Sequence, residues 1–235
     1  MWLALVLAWI AGFADAFGFL TLKDIFFSAV SGNTVAVNAS LAKRDWTIAV
    51  RHGCPILFFV AGLVVGAILE KITGRLHVRR RFSIAVAIEG MLLLLLAILG
   101  RSMQLSGPGF REGTSQFYLF IALLSGAMGI QTASLRRVRH ESVNTPFVTG
   151  MLVQSIDNGI NALFNAYDRL KNRDPEFPKN SLNKAIFHGA LWLIFAVGAF
   201  CGGEGQVHWS FSALFVPVGL LVFVIVCDLL RPIYD

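Results

Sequence analysis

The chain has 235 residues, of which 56% are apolar and only 14% charged, with a formal net charge of +6. An ordinary soluble domain carries about 25% charged residues. This chain cannot cover a water-exposed surface of its size, which sets aside a soluble enzyme, a nucleic-acid module and a disordered protein. The composition predicts an all-α fold: a polytopic transmembrane helical bundle lying in the lipid bilayer.

Six stretches have the roughly 20 mostly apolar residues that a membrane helix needs. In chain order they are Trp2–Leu22, His52–Ile72, Phe82–Gly100, Phe117–Leu135, Ala185–Gly203 and Ser210–Leu230. The first has no Lys or Arg before Lys23, so it reads as a retained helix rather than a secretory leader. Two further stretches, Ile25–Ala42 and Asn144–Tyr167, are nearly free of charge but rich in Ser, Asn and Gly. They read as two more crossings, as re-entrant segments, or as helices buried among the others. Polar or irregular backbone at membrane depth is tolerated only against protein or a wet cavity. The expectation is therefore six membrane helices plus two polar, membrane-embedded helical segments.

Basic residues lie in short runs between the apolar stretches. Six crossings put 14 Lys and Arg on the side of the two termini and 6 on the other; eight crossings split them 11 to 9. The positive-inside rule favours six, with both termini cytoplasmic. The cysteines Cys54, Cys201 and Cys227 are odd in number and lie in apolar stretches, which predicts neither a disulfide framework nor a metal cluster.

The two halves of the single membrane domain, residues 1–100 and 117–235, repeat one another in order. Gly12-Phe-Ala-Asp-Ala16 is matched by Gly129-Ile-Gln-Thr-Ala133, and Ser31-Gly32 by Thr149-Gly150. Ungapped alignment of residues 52–66 with 188–202 then gives six identities in 15: His52/His188, Gly53/Gly189, Leu57/Leu193, Phe59/Phe195, Gly62/Gly198 and Gly66/Gly202. Three crossings per half would make the repeat inverted; four would make it parallel. Inverted repeats with interrupted helices at their interface are a recurrent transporter plan.

At these residues the chain resembles the YoaK-like family of bacterial multi-spanning membrane proteins, a domain of unknown function. The stretches that carry the resemblance are Gly12-Phe-Ala-Asp-Ala16, Ser31-Gly-Asn-Thr34, Gly129-Ile-Gln-Thr-Ala133 with Arg136-Arg137, Thr145 and Thr149-Gly150. The family's more usual Thr-Gly-Asn is Ser-Gly-Asn here, which preserves the hydroxyl. The resemblance implies a multi-spanning membrane protein and brings no substrate, cofactor or catalytic residue.

Polar groups in apolar helices are the candidate site. Asp15, well inside the first helix, reads as a proton or cation site or else as a helix-packing residue. Ser31, Gly32, Asn33 and Thr34 in one half, and Thr145, Thr149 and Gly150 in the other, would interrupt helices and free backbone groups to bind, or would allow close packing. Gln131 and Asp157 complete the primary set. Asp157 shares a helical face with Gln154, Asn158 and Asn161, which would line a cavity or face water. Glu89, Asn158 and Asn161 are secondary candidates, Glu89 being a proton site or a partner of the basic loop. Gly62-x-x-x-Gly66 and Gly198-x-x-x-Gly202 read as packing devices. His52 and His188, at expected helix starts, lack the Cys and carboxylate company of a metal site.

No hydrolase elbow, zinc-protease helix or phosphate loop is present. The sequence thus predicts no enzyme, no cofactor and no nucleic acid. It predicts a secondary transporter of a small solute or ion, or alternatively a non-transporting membrane scaffold or partner-binding protein.

Overall fold

A computed structural model describes residues 2–76, 78, 80–106, 113–138, 147–171 and 181–230. Among the described residues the fold is all-helical. The α-helices are α1 (Trp2–Thr21), α2 (Val30–Ala42), α3 (Trp46–Arg75), α4 (Arg81–Ser106), α5 (Ser115–Val138), α6 (Phe147–Leu170), α7 (Ser181–Trp209) and α8 (Phe215–Leu230). A 3-10 turn, Ser210–Leu214, joins α7 to α8. Five stretches are long and apolar enough to cross a membrane, and the last runs unbroken from Ser181 to Leu230 through α7, this turn and α8. The helical state follows from the solvent: in lipid every backbone N–H and C=O must be satisfied inside its own segment.

The expected helix starts at His52 and His188 are corrected. α3 begins at Trp46, capped by Asp45 through a 3.1 Å bond from Ile48 N, and α7 begins at Ser181. Both histidines are therefore buried inside helices. The sequence reading stopped at the last charged residue, Arg51, whereas α3 continues outward past it to the Asp45 cap.

Glycines set the two most extensive helix seams. A methyl group on Gly12 of α1 would lie 2.1 Å from Phe195 O of α7; one on Gly198 would lie 2.1 Å from Trp9 O, and one on Gly202 2.2 Å from Phe13 O. Along α3 and α5, a methyl on Gly129 would lie 2.3 Å from Phe59 O, and one on Gly62 2.3 Å from Gly126 O. Gly66 faces Ile130 and Ala133. Small residues let backbones approach this closely where no hydrophobic effect drives helices together. Residue numbers rise together across both seams, so α1 runs parallel to α7, and α3 to α5.

Other pairs oppose. Gly18 meets Leu124 while Leu7 O meets Gln131, so α1 is antiparallel to α5. Ser83, Gly90 and Gly100 of α4 meet Asp228, Leu221 and Phe211, so α4 is antiparallel to the chain from the 3-10 turn through α8.

Of the two polar stretches, the first forms the short helix α2, of 13 residues, and the second the full-length helix α6, of 24. After α1, Lys23 and Asp24 adopt left-handed φ values of 58° and 66° and reverse the chain. A strap, residues 25–29, then returns along α1 to the level of Asp15 and Gly18, where Phe27 is fully buried. From there α2 runs outward, turns through Arg44 (φ 59°) and packs antiparallel on the start of α3. α6 starts at depth as well: Met151 is buried with Ala4 and Ala8 of α1 and Leu191 of α7. It then runs outward antiparallel to α7, with Ser155 donating to Ala185 O and Asn165 meeting Ser181.

Candidate functional site

Three buried polar networks occupy the apolar core. The first centres on Asp15, which is 5% exposed. Its Oδ1 accepts from Phe27 N and Ser28 N, both at 2.6 Å, and its Oδ2 accepts from Ser28 Oγ. The strap's backbone donors, which no helix satisfies, are thus satisfied by a side chain of α1. Phe27 fills the notch left by Gly18, where a methyl would lie 2.1 Å from its ring.

The second network holds the other edge of the strap. Asn33, 1% exposed, donates through Nδ2 to Phe26 O at 2.5 Å and accepts through Oδ1 from Phe26 N at 3.2 Å. This two-way clamp fixes which amide atom is which. Nδ1 of His52, 3.3 Å from the same Oδ1, therefore faces an acceptor and carries the hydrogen. Residues 26–28 are gripped by Asp15 on one side and Asn33 with His52 on the other.

The third network is carried by α1, α4 and α5. Gln131, 3% exposed, donates through Nε2 to Glu89 Oε1 at 3.0 Å and to Leu7 O at 3.3 Å. Glu89 is 1% exposed and stands in the buried stripe Val86, Leu93, Leu96 of α4. No salt bridge involves Glu89 among the described residues.

The remaining predicted residues lie elsewhere. Ser31, Thr34, Thr149 and Asp157 are exposed, Gly150 is buried, and Gly32, Asn158 and Asn161 are partly covered. Thr34 Oγ1 bonds its own helix at Val30 O, and Asn158 Nδ2 bonds Gln154 O. Thr145 lies outside the described residues. The structure brings Asp15 close to Asn33 through the strap, and Glu89 to Gln131. Asp157 is on the exposed side of α6, beside Ile156, Ile160, Leu163 and Phe164, which are exposed too.

Sequence reasoning missed two participants. Ser28 supplies both a hydroxyl and an amide to Asp15, yet one serine in an apolar stretch carries no periodic signal. Asp228, a single carboxylate near the end of the last apolar stretch, is buried and accepts from Ser83 Oγ. Its partner is 145 residues away.

The profile of the family described as protein of unknown function (DUF1275) matches residues 3–227. The chain belongs to this family. A relative, the UPF0700 transmembrane protein YoaK of Bacillus subtilis (strain 168), is 20% identical over 211 residues, covering 90% of this chain and 86% of YoaK. No solved structure matches. Membership covers all three networks, and the DUF1275 chain is accordingly a multi-pass membrane protein.

Proposed function

We propose that this protein is a secondary transporter of a small solute or ion, built from two inverted halves that each cross the membrane three times. The observation that carries the reading is the equivalence of the glycine seams. Adding 117 to the α1 numbers and subtracting 136 from the α7 numbers turns the first seam into the second. Gly12 on Phe195 O becomes Gly129 on Phe59 O, Gly198 on Trp9 O becomes Gly62 on Gly126 O, and Gly202 beside Phe13 becomes Gly66 beside Ile130. The polar helices α2 and α6 fall one residue off this relation, since Gly53 faces Val37 where Gly189 faces Ser155 and 117 added to 37 gives 154. The antiparallel course of α1 and α5 supports inversion rather than a parallel repeat. A polar helix in each half, α2 and α6, is compatible with the plan by which repeat-built transporters assemble a central site from polar, interrupted segments. Asp15 and Glu89 are ionisable groups buried in the apolar core, where the bilayer penalises them by at least about 2.5 kcal/mol.

The test is electrical. Vesicles holding the purified full chain, adsorbed on a sensor, receive steps of amino acids, small carboxylates, sugars and alkali cations under an imposed pH gradient. Transport predicts a current that requires one solute class and is absent from protein-free vesicles. Silence for every class, from folded protein, favours the scaffold reading. One observation favours that second reading: all of Asp15's hydrogen bonds are spent on holding the strap.

Inverted three-crossing halves also fix sidedness. With 14 of 20 basic residues on one face, a cysteine at exposed Lys43 should react with an impermeant maleimide in intact cells. One at exposed Leu76 should react only after permeabilisation. The opposite pattern reverses the orientation, and reaction of both in intact cells removes the six-crossing path.

A further inference from the structure

We propose that Glu89 is a proton-binding site, with Gln131 as its positioning residue, and that Asp15 is a fixed structural anion. The inference deepens the transport reading by naming the proton as the coupling ion, and it rests on that reading only for the coupling role.

The two carboxyl groups are buried alike but furnished differently. Asp15 receives three donors, two backbone amides and a hydroxyl, spread over both oxygens. Such a set compensates a negative charge, as it does at helix caps and anion-binding turns. Among the described residues Glu89 receives one donor, Gln131 Nε2, on Oε1. The same Nε2 also serves Leu7 O, so its second hydrogen is shared out as well. A carboxyl with a single neutral donor in an apolar stripe is not compensated as an anion, and a bound proton removes the charge.

The charged and titratable groups on the surrounding helices leave this assignment standing. α1 offers Asp15, eight residues beyond Leu7 and engaged with the strap. α8 offers Cys227 and Asp228, the latter bonded to Ser83. α3 offers Glu70 and Lys71, a turn past the Gly66–Ile130 contact; α5 offers Tyr118 among its described side chains; α4 itself offers Arg81 and Arg101. Position supports a role beyond packing. Val86, Leu93 and Leu96 occupy the neighbouring buried places on α4, and Leu124, Ala127 and Met128 those on α5. An apolar pair would fill the 89 and 131 positions without the desolvation cost, so polar groups retained here mark function.

The probe is dicyclohexylcarbodiimide, which adds to a protonated carboxyl group in apolar surroundings, the acid's proton passing to a carbodiimide nitrogen. The full chain in vesicles is treated over a pH series and digested for mass spectrometry. The expected result is one adduct, on the peptide containing Glu89, lost in Glu89→Gln and retained in Asp15→Asn. Gln131→Leu should keep the adduct and move the pH of half-labelling upward, because it removes the donor that favours the ionised form; a purely structural role leaves that midpoint in place. An adduct on Asp15 instead, or none on Glu89 when the denatured chain is labelled there, overturns the proposal. A labelled Glu89 in vesicles that carry no solute current keeps the proton site and sinks the transport reading alone.

Discussion

Gly198→Ala is expected to destabilise the bundle by about 3 kcal/mol or more, with Gly198→Leu failing to accumulate as folded protein. The added methyl would lie 2.1 Å from Trp9 O and 2.8 Å from Trp9 C. Both are backbone atoms of α1, so no rotamer change relieves the contact. The helices must separate, and dispersion contacts are lost along the seam, beyond the roughly 1–3 kcal/mol typical of overpacking. Helix propensity points the other way, since Ala is favoured over Gly by about 1 kcal/mol. The sign therefore separates packing from propensity. Gly219→Ala is the control: nothing lies within 4 Å of the added methyl, and a small gain is expected. Thermal unfolding in detergent, followed by size-exclusion chromatography, measures both. The same loss is expected at Gly62 in the other seam, where an added methyl would lie 2.3 Å from Gly126 O. Tolerance of Ala at both Gly198 and Gly62 would mean that the seams do not hold the bundle together.

Asp15→Leu should have the second largest effect. It strips the acceptor from two buried amides and a hydroxyl at once. A buried donor left without a partner costs about 1–3 kcal/mol, more where the missing partner was charged. A loss of about 3–5 kcal/mol is expected, close to the whole stability of a marginal domain. Asp15→Asn keeps one carbonyl oxygen for the amides and should lose only about 1–2 kcal/mol. The loss should be local before it is global. A cysteine replacing Ser28 is covered by the strap contacts in the native chain and should react faster with a soluble maleimide in the Asp15→Leu background. The Ser28→Cys change itself removes one of the three donors, so the comparison is made against Ser28→Cys alone. Equal reaction rates in the two backgrounds would show that the strap is held by Phe27 in the Gly18 notch rather than by the carboxylate.

The sequence alone determined the class. Apolar runs of about 20 residues and a shortage of charge dictate a helical membrane protein, because lipid accepts only self-satisfied backbone. It also exposed the order of motifs shared by the halves and the glycine spacings, since a seam of small residues is written at i and i+4 on one helix. Buried polar residues were legible singly, Asp15, Asn33, Glu89 and Gln131 among them, since each stands out in an apolar run. What only the tertiary structure decided is who meets whom. Asp15 grips Phe27 and Ser28 because two left-handed residues turn the strap back along α1, and a reversal made by Lys23 and Asp24 carries no glycine to announce it. Glu89 meets Gln131 across 42 residues, and Ser83 meets Asp228 across 145; such pairs are set by helix direction, which composition does not encode. Thr149 and Asp157 lie exposed because α6 packs mainly along α7, which leaves much of its circumference uncovered; hydropathy alone left the cavity-facing and water-facing readings of Asp157 open.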